Sequence, residues 1–220
     1  MWYHRGMKSL FFVCIAALAA SPVFGASLLY QGHGSVMIEA ADGTVIYVDP
    51  YAGEGYDKQA DLILITHEHR DHNNIDLVKK TDKTVILRSK DMNINCNYQT
   101  KKIGDITIEA VPAYNKNHKK EECVGYILTI DGKTIYLAGD TSTTDAMPGF
   151  ADRHLDYAFL PMDGKYNMGP EEATECANMI KAKHTVPYHM APGKLFDEET
   201  AGKLKTDSLL IVPAGTKIEL

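Results

Sequence analysis

Ile65-Thr66-His67-Glu68-His69-Arg70-Asp71-His72 is the stretch from which the rest of the chain is read. Four side chains able to bind a metal, His67, His69, Asp71 and His72, stand within six residues. They follow the apolar run Leu62-Ile63-Leu64-Ile65, which predicts a buried strand over 62–66. At the end of a strand, His67 and His69 project to one side. The turn beyond brings Asp71 and His72 round. Imidazole and carboxylate together suit Zn²⁺, Mn²⁺ or Fe²⁺.

On the N-terminal side, residues 27–48 alternate into two strands joined at Asp42-Gly43, a strong hairpin signal, and the second strand ends at Asp49-Pro50. On the C-terminal side, Asn73 or Asn74 is placed to cap a helix over 75–80. Strands follow over 84–87 and 106–111, then a second hairpin over 125–138 with its turn at Asp131-Gly132. A strand over 157–161 precedes a helix that starts at Pro170, with an apolar stripe of Ala173, Cys176, Ala177 and Ile180. A strand over 185–189, a helix over 197–204 and a last strand over 209–212, extending towards 218, close the chain. The order reads as two successive halves without a residue-level repeat.

Three further candidate ligands stand at strand ends or in loops. Asp140 follows the second hairpin, behind Gly139, which lets backbone pass close to a site. His189 ends its strand, and His118 lies in the polar loop after Asn115. Seven such ligands fit two metals that share a bridging carboxylate. A chance run of histidines would not be answered by further ligands elsewhere in the chain.

The chain has 220 residues, 45% of them hydrophobic and 24% charged, enough for one domain with a real core. Residues 1–25 have the outline of a secretory signal peptide: Arg5 and Lys8, an apolar run from Leu10, then small residues up to Gly25. The run is too short for a comfortable transmembrane helix. The expected product is therefore residues 26–220, exported to a periplasmic or extracellular space and with no stable membrane span. Net charge is −6, and loss of Arg5 and Lys8 makes it more negative. Such a surface argues against nucleic acid, and the expected partner is a small-molecule substrate. Cys96, Cys123 and Cys176 remain; an oxidising compartment would permit Cys96–Cys123, and three buried thiols are the equal alternative.

The run His67-x-His69-x-Asp71-His72, followed by His118, Asp140 and His189, resembles the metallo-β-lactamase superfamily of metallohydrolases. Asp49 matches the family's first motif. Gly32-His33-Gly34-Ser35, Val111-Pro-Ala-Tyr-Asn115, Ala138-Gly-Asp-Thr141 and Leu160-Pro161 look like a subgroup similar to the ascorbate-6-phosphate lactonase-like branch. The resemblance implies an α+β fold, a four-layer αβ/βα sandwich. It also implies two divalent metals, zinc before manganese or iron. His67, His69 and His118 would hold the first, Asp71, His72 and His189 the second, and Asp140 would bridge. Asp49 would orient a ligand. His33 has no ligand role in that pattern and is expected to contact substrate or support the site. Arg70 is expected in a salt bridge or against an anionic substrate.

The expected chemistry is hydrolysis by a metal-bridging hydroxide attacking a carbonyl or phosphoryl centre: a lactone, a β-lactam or amide, a thioester or a phosphodiester. Asp71 would also orient the nucleophile. Tyr166 and Asn167, in the loop Asp163-Gly-Lys-Tyr-Asn-Met168, are candidate donors to the developing oxyanion. Two other readings compete: an iron-dependent enzyme of oxidative or sulfur chemistry on the same ligands, and a non-catalytic metal-binding protein.

Overall fold

The computed structural model describes Met1 and residues 25–220. Most of the predicted leader lies outside the described residues. Strands β1 (Ser27–Gly32), β2 (Ser35–Glu39), β3 (Val45–Val48), β4 (Leu62–Leu64) and β5 (Val85–Leu87) come first. Helix α1 (Ser89–Met92), the small hairpin of β6 (Asn93–Ile94) and β7 (Asn97–Tyr98), and β8 (Thr100–Ile103) follow. Then come β9 (Ile106–Pro112), β10 (Val124–Ile130), β11 (Lys133–Leu137), β12 (Tyr157–Pro161), α2 (Pro170–Ile180), β13 (His184–Tyr188), α3 (Glu198–Ala201) and β14 (Thr216–Glu219).

Among the described residues these strands form two six-stranded sheets, β14-β1-β2-β3-β4-β5 and β13-β12-β11-β10-β9-β8. Each sheet carries four antiparallel strands and then two that continue in parallel, β4 and β5 in one, β12 and β13 in the other. The two predicted halves are thus a repeat of topology. Their inner faces meet in one core that includes Leu28, Tyr30, Ile46, Leu64, Tyr126, Leu128 and Phe159. The outer face of the second sheet, with Tyr136, Ala158 and Leu160, takes the α2 stripe Ala173, Cys176, Ala177 and Ile180. The outer face of the first sheet, with Tyr47 and Ile63, is covered by Ala60 and Val78. Strands buried on both faces read as unbroken apolar runs, which is why Leu62-Ile63-Leu64-Ile65 does not alternate. The result is the αβ/βα sandwich expected, with thin outer layers.

Four expectations change. The first predicted strand is two, β1 and β2, broken by a tight turn at His33, whose φ of 54° is left-handed. The helix over 75–80 is a single 3₁₀ turn, Ile75–Leu77, because the Lys79 backbone is recruited into a bridge with Gln59 and Ala60. The run 209–212 makes only one bridge, Thr185 to Leu209, before Pro213. The closing strand is β14, antiparallel to β1. Cys96, Cys123 and Cys176 are all unpaired, and Cys176 lies in the core. No helix among the described residues is long and apolar enough to cross a membrane.

Candidate metal centre

The predicted ligands converge at one end of the two sheets. Asp49 follows β3, the cluster 67–72 follows β4, Asp140 follows β11 and His189 follows β13. His118 sits between β9 and β10, and His33 sits between β1 and β2, the corresponding connection of the other sheet. His33, Asp49 and His189 all have left-handed φ, at 54°, 47° and 45°. Strain of this kind in non-glycine residues persists only where the surroundings over-determine it. At His33 they do: its N–H donates to the Leu195 carbonyl, and its own carbonyl accepts from the Tyr30 hydroxyl and the His189 N–H. Two more buried tyrosines pin the neighbouring loops. The Tyr126 hydroxyl donates to the Ile65 carbonyl, and the Gly139 N–H donates to the Tyr188 hydroxyl at 2.6 Å.

Second partners fix the ring nitrogens. Thr66 donates its hydroxyl to Asp49, so its oxygen accepts from His67 Nδ1 at 3.0 Å. His72 Nδ1 donates to Asp49 Oδ2 at 2.8 Å. His118 Nδ1 donates to Asn115 Oδ1 at 2.9 Å. His189 Nδ1 faces the Asp163 carboxylate at 3.1 Å, an electrostatic contact rather than a well-aligned hydrogen bond. Each of these four rings therefore turns Nε2 inward. The Nε2 atoms of His67, His72 and His189, with Asp140 Oδ1, are buried and have no hydrogen-bond partner. Asp140 Oδ1 lies 3.2 Å from His72 Nε2 and 3.4 Å from His189 Nε2, and Oδ2 lies 3.2 Å from His118 Nε2. Donors about 2.0–2.2 Å from a common metal stand roughly 3.0–3.5 Å apart, so the spacing fits metal ligands. His67, His69 and His118 form one group able to hold an ion, and His33, Asp71, His72 and His189 form another.

His33 has the reverse pattern. Its Nε2 lies 3.1 Å from Asp71 Oδ2 and its buried Nδ1 has no partner. A ligand histidine needs an acceptor for its second N–H, whereas a donor to Asp71 leaves only a bare lone pair. The geometry makes His33 the clamp on Asp71. That hydrogen bond outweighs burial and holds the Asp71 carboxyl well below the usual carboxylate range. Burial, with the neighbouring charge of His72, keeps His67 neutral. Burial works against charge on His72 too, yet Asp140 and Asp49 outweigh it and raise its pKa. His189 is likewise raised, by Asp140 and Asp163 against its burial.

Tyr166 is exposed, and its carbonyl accepts from Asn115 and Asn117. Asn167 is buried, with its amide spent on Asp163 and Asn115. The oxyanion role expected of Asn167 gives way to support of the loop. Arg70 is exposed beside the cluster. Thr66, Asn115 and Asp163 were not singled out by the sequence reading. Asp163 had a visible signal, since it stands just past a strand end as Asp49 does.

A Cβ on Gly34 would stand 2.9 Å from His72 Cε1 and 3.2 Å from Nδ1. That ring is held by Asp49 and cannot step aside. Gly34→Ala is expected to weaken metal binding by about 10-fold or more, the range seen when a ligand loses its orienting partner. A chelator competition titration would show it; unchanged affinity would mean that His72 is not a ligand.

Residues 27–189 match the family model described as the beta-lactamase superfamily domain. A UPF0173 metal-dependent hydrolase of Thermococcus kodakarensis is 30% identical over 221 residues, covering 87% of this chain and 98% of the relative. A crystal structure from Parabacteroides distasonis is 34% identical with a TM-score of 0.69, covering 83% of this chain and 90% of that one. A metallo hydrolase of Ignicoccus hospitalis shares the fold at 24% identity and a TM-score of 0.69, covering 88% and 97%. On its ligand geometry, its family match and its relatives, this chain belongs to the beta-lactamase superfamily, in the UPF0173 family of metal-dependent hydrolases.

Proposed function

We propose that this protein is a two-metal hydrolase of a small molecule. One observation carries the reading: the two oxygens of Asp140 face different histidines, Oδ1 towards His72 and His189, Oδ2 towards His118. His67, His69 and His118 would hold one ion, Asp71, His72 and His189 the other, and Asp140 would serve both. Two divalent ions, zinc in this reading, supply Lewis acidity and acidify a water for attack at neutral pH. The chain itself supplies shape and charge. Asp71, half exposed, presents an ionised carboxylate to the attacking group, and His33 keeps it aimed.

Beside the first group lies a cleft of about 290 Å³ whose lining includes His69, His118, Lys90, Glu121 and Cys123. That size suits a compact substrate, a lactone, an amide, a thioester or a small phosphodiester. Export, with cleavage after residue 25, is part of the same proposal. N-terminal sequencing of the secreted product tests it.

The first experiment is metal content per chain after exhaustive dialysis, followed by a hydrolysis screen with and without chelator. About two zinc ions and a chelator-sensitive activity support the proposal. No retained metal after zinc is added back would sink it. Iron in place of zinc would favour oxidative chemistry on the same ligands.

Binding must also depend on pH. His72 and His189 carry raised pKa values without metal, so binding at neutral pH must displace their protons. Zinc affinity is expected to rise with pH up to the raised folded values of these two histidines, by up to roughly 100-fold per unit for two protons, and to level off above them. The same groups give the metal-free protein the opposite trend. Their contribution to its stability is complete below about 6.5 and is lost as pH rises through their folded values. Titration calorimetry in buffers of different ionisation enthalpy, with melting curves of the metal-free protein, checks both signs.

A further inference from the structure

Two paths run between the groups of candidate ligands, one of hydrogen bonds throughout and one of hydrogen bonds closed by the electrostatic contact of Asp163 with His189. The short one is His67–Thr66–Asp49–His72. The longer one crosses the opposite side of the site. His118 Nδ1 donates to Asn115 Oδ1, Asn115 Nδ2 donates to Asn167 Oδ1 at 3.1 Å, and Asn167 Nδ2 donates to Asp163 Oδ2 at 2.8 Å. Asp163 Oδ2 is also the atom that faces His189 Nδ1.

The direction of each hydrogen bond between His118 and Asp163 is fixed. Asn115 Oδ1 also accepts from the Asn117 N–H, so Nδ2 must point towards Asn167. Asp163 can only accept, so Asn167 must turn its own Nδ2 to it. Asp163 is locked in turn: its side chain is fully buried and Oδ1 takes the N–H groups of Lys165 and Tyr166. Neither asparagine amide can flip without breaking two bonds at once. Local backbone supports the start of the path, because Asn115 and His118 close a tight turn with bonds in both directions.

We propose that Asn115 and Asn167 are positioning residues that tie His118 to His189, so that each metal position depends on a side chain that contacts neither ion. Asn167 is the clearest case, since its hydrogen bonds go to Asn115 and Asp163 and to no candidate ligand. The inference rests on the two-metal reading above.

The test is a zinc titration of the metal-free full chain against a chromophoric chelator, for the parent and for Asn167→Ala. The parent must first bind two ions; if it does not, the two-metal reading fails, and the relay fails with it. Given two ions, Asn167→Ala is expected to weaken both by about 10-fold, the size of other outer-sphere losses. Loss of these buried bonds should lower the melting temperature of the metal-free protein, so affinities are read well below the transition, where the circular dichroism of parent and variant should superpose; a merely structural role would leave both affinities unchanged there. Adding Asn115→Ala to Asn167→Ala should cost the His189 position little more, because both changes break one path. Superposable isotherms, or weakening of one ion alone, would overturn the proposal. If Asn167→Ala does not fold without metal, Asn167→Ser is read by the same criteria.

Discussion

Asp140→Ala is expected to lose both metals and, with them, all metal-dependent turnover. The carboxylate is buried, and its oxygens lie within 3.2–3.4 Å of Nε2 atoms from His72, His118 and His189. Burial raises the cost of its charge, yet His72 and His189 keep its pKa well below the usual value. Among the described residues no other acidic group touches histidines of both sets, so nothing there replaces it. Zinc affinity should fall by more than about 100-fold, beyond what loss of an orienting partner produces. The cheapest readout is thermal. Ligands that bind only the folded state raise its stability by mass action. The parent should melt at a higher temperature in zinc, and Asp140→Ala should not respond. A variant that still gained stability from zinc at the parent's concentration would show that the carboxylate does not bridge. Asp140→Asn keeps the shape and removes the charge. It should resemble the alanine variant, because the histidines need a negative partner to be drawn together with two cations.

Asp49→Ala is expected to cost both stability and metal. Asp49 is buried and accepts three hydrogen bonds, from the Thr66 N–H, the Thr66 hydroxyl and His72 Nδ1. Its removal strands three buried donors. Each costs about 1–3 kcal/mol when left unmet. Some relaxation is expected, so the net loss is placed at about 3–5 kcal/mol, or roughly 10 °C in melting temperature for a domain of this size. The metal effect has a separate cause. Without Asp49, His72 loses the partner that keeps its proton on Nδ1, and His67 loses the same service through Thr66. Asp49→Asn separates the two effects. Its amide oxygen can still accept from Thr66, so most stability should return. An amide nitrogen facing His72 cannot accept, so metal affinity should stay low. Full recovery of both properties in the asparagine variant would mean that the charge of Asp49 has no part in holding the site.

Much of this molecule was legible along the chain, and for a definite reason. Strands buried on both faces produce runs such as Leu62-Ile63-Leu64-Ile65, and left-handed turns produce pairs such as Asp131-Gly132. Both signals are local. So is the spacing of His67, His69, Asp71 and His72, because one strand end and one turn carry them all. Elements whose formation depends on a distant partner were misread. Residues 209–212 look like a strand but find only one bridge, whereas the polar Thr216-Lys-Ile-Glu219 becomes one by pairing with the edge of β1. The helix expected over 75–80 lost to a backbone bridge with Gln59.

The sequence by itself determined the metal chemistry: which side chains can bind an ion, and that they follow strand ends. Ligand type is a property of the residue, and strand-end placement follows from hydrophobic pattern alone. Only the tertiary structure decided how those residues divide and what holds them. His33, expected to contact substrate or to support the site, hydrogen-bonds Asp71 through Nε2 and leaves Nδ1 without a partner. Asn167 became a support rather than an oxyanion donor because Asp163 and Asn115 claim its amide. Those distinctions lie in the direction of single hydrogen bonds between residues up to 52 positions apart, and no local pattern encodes them.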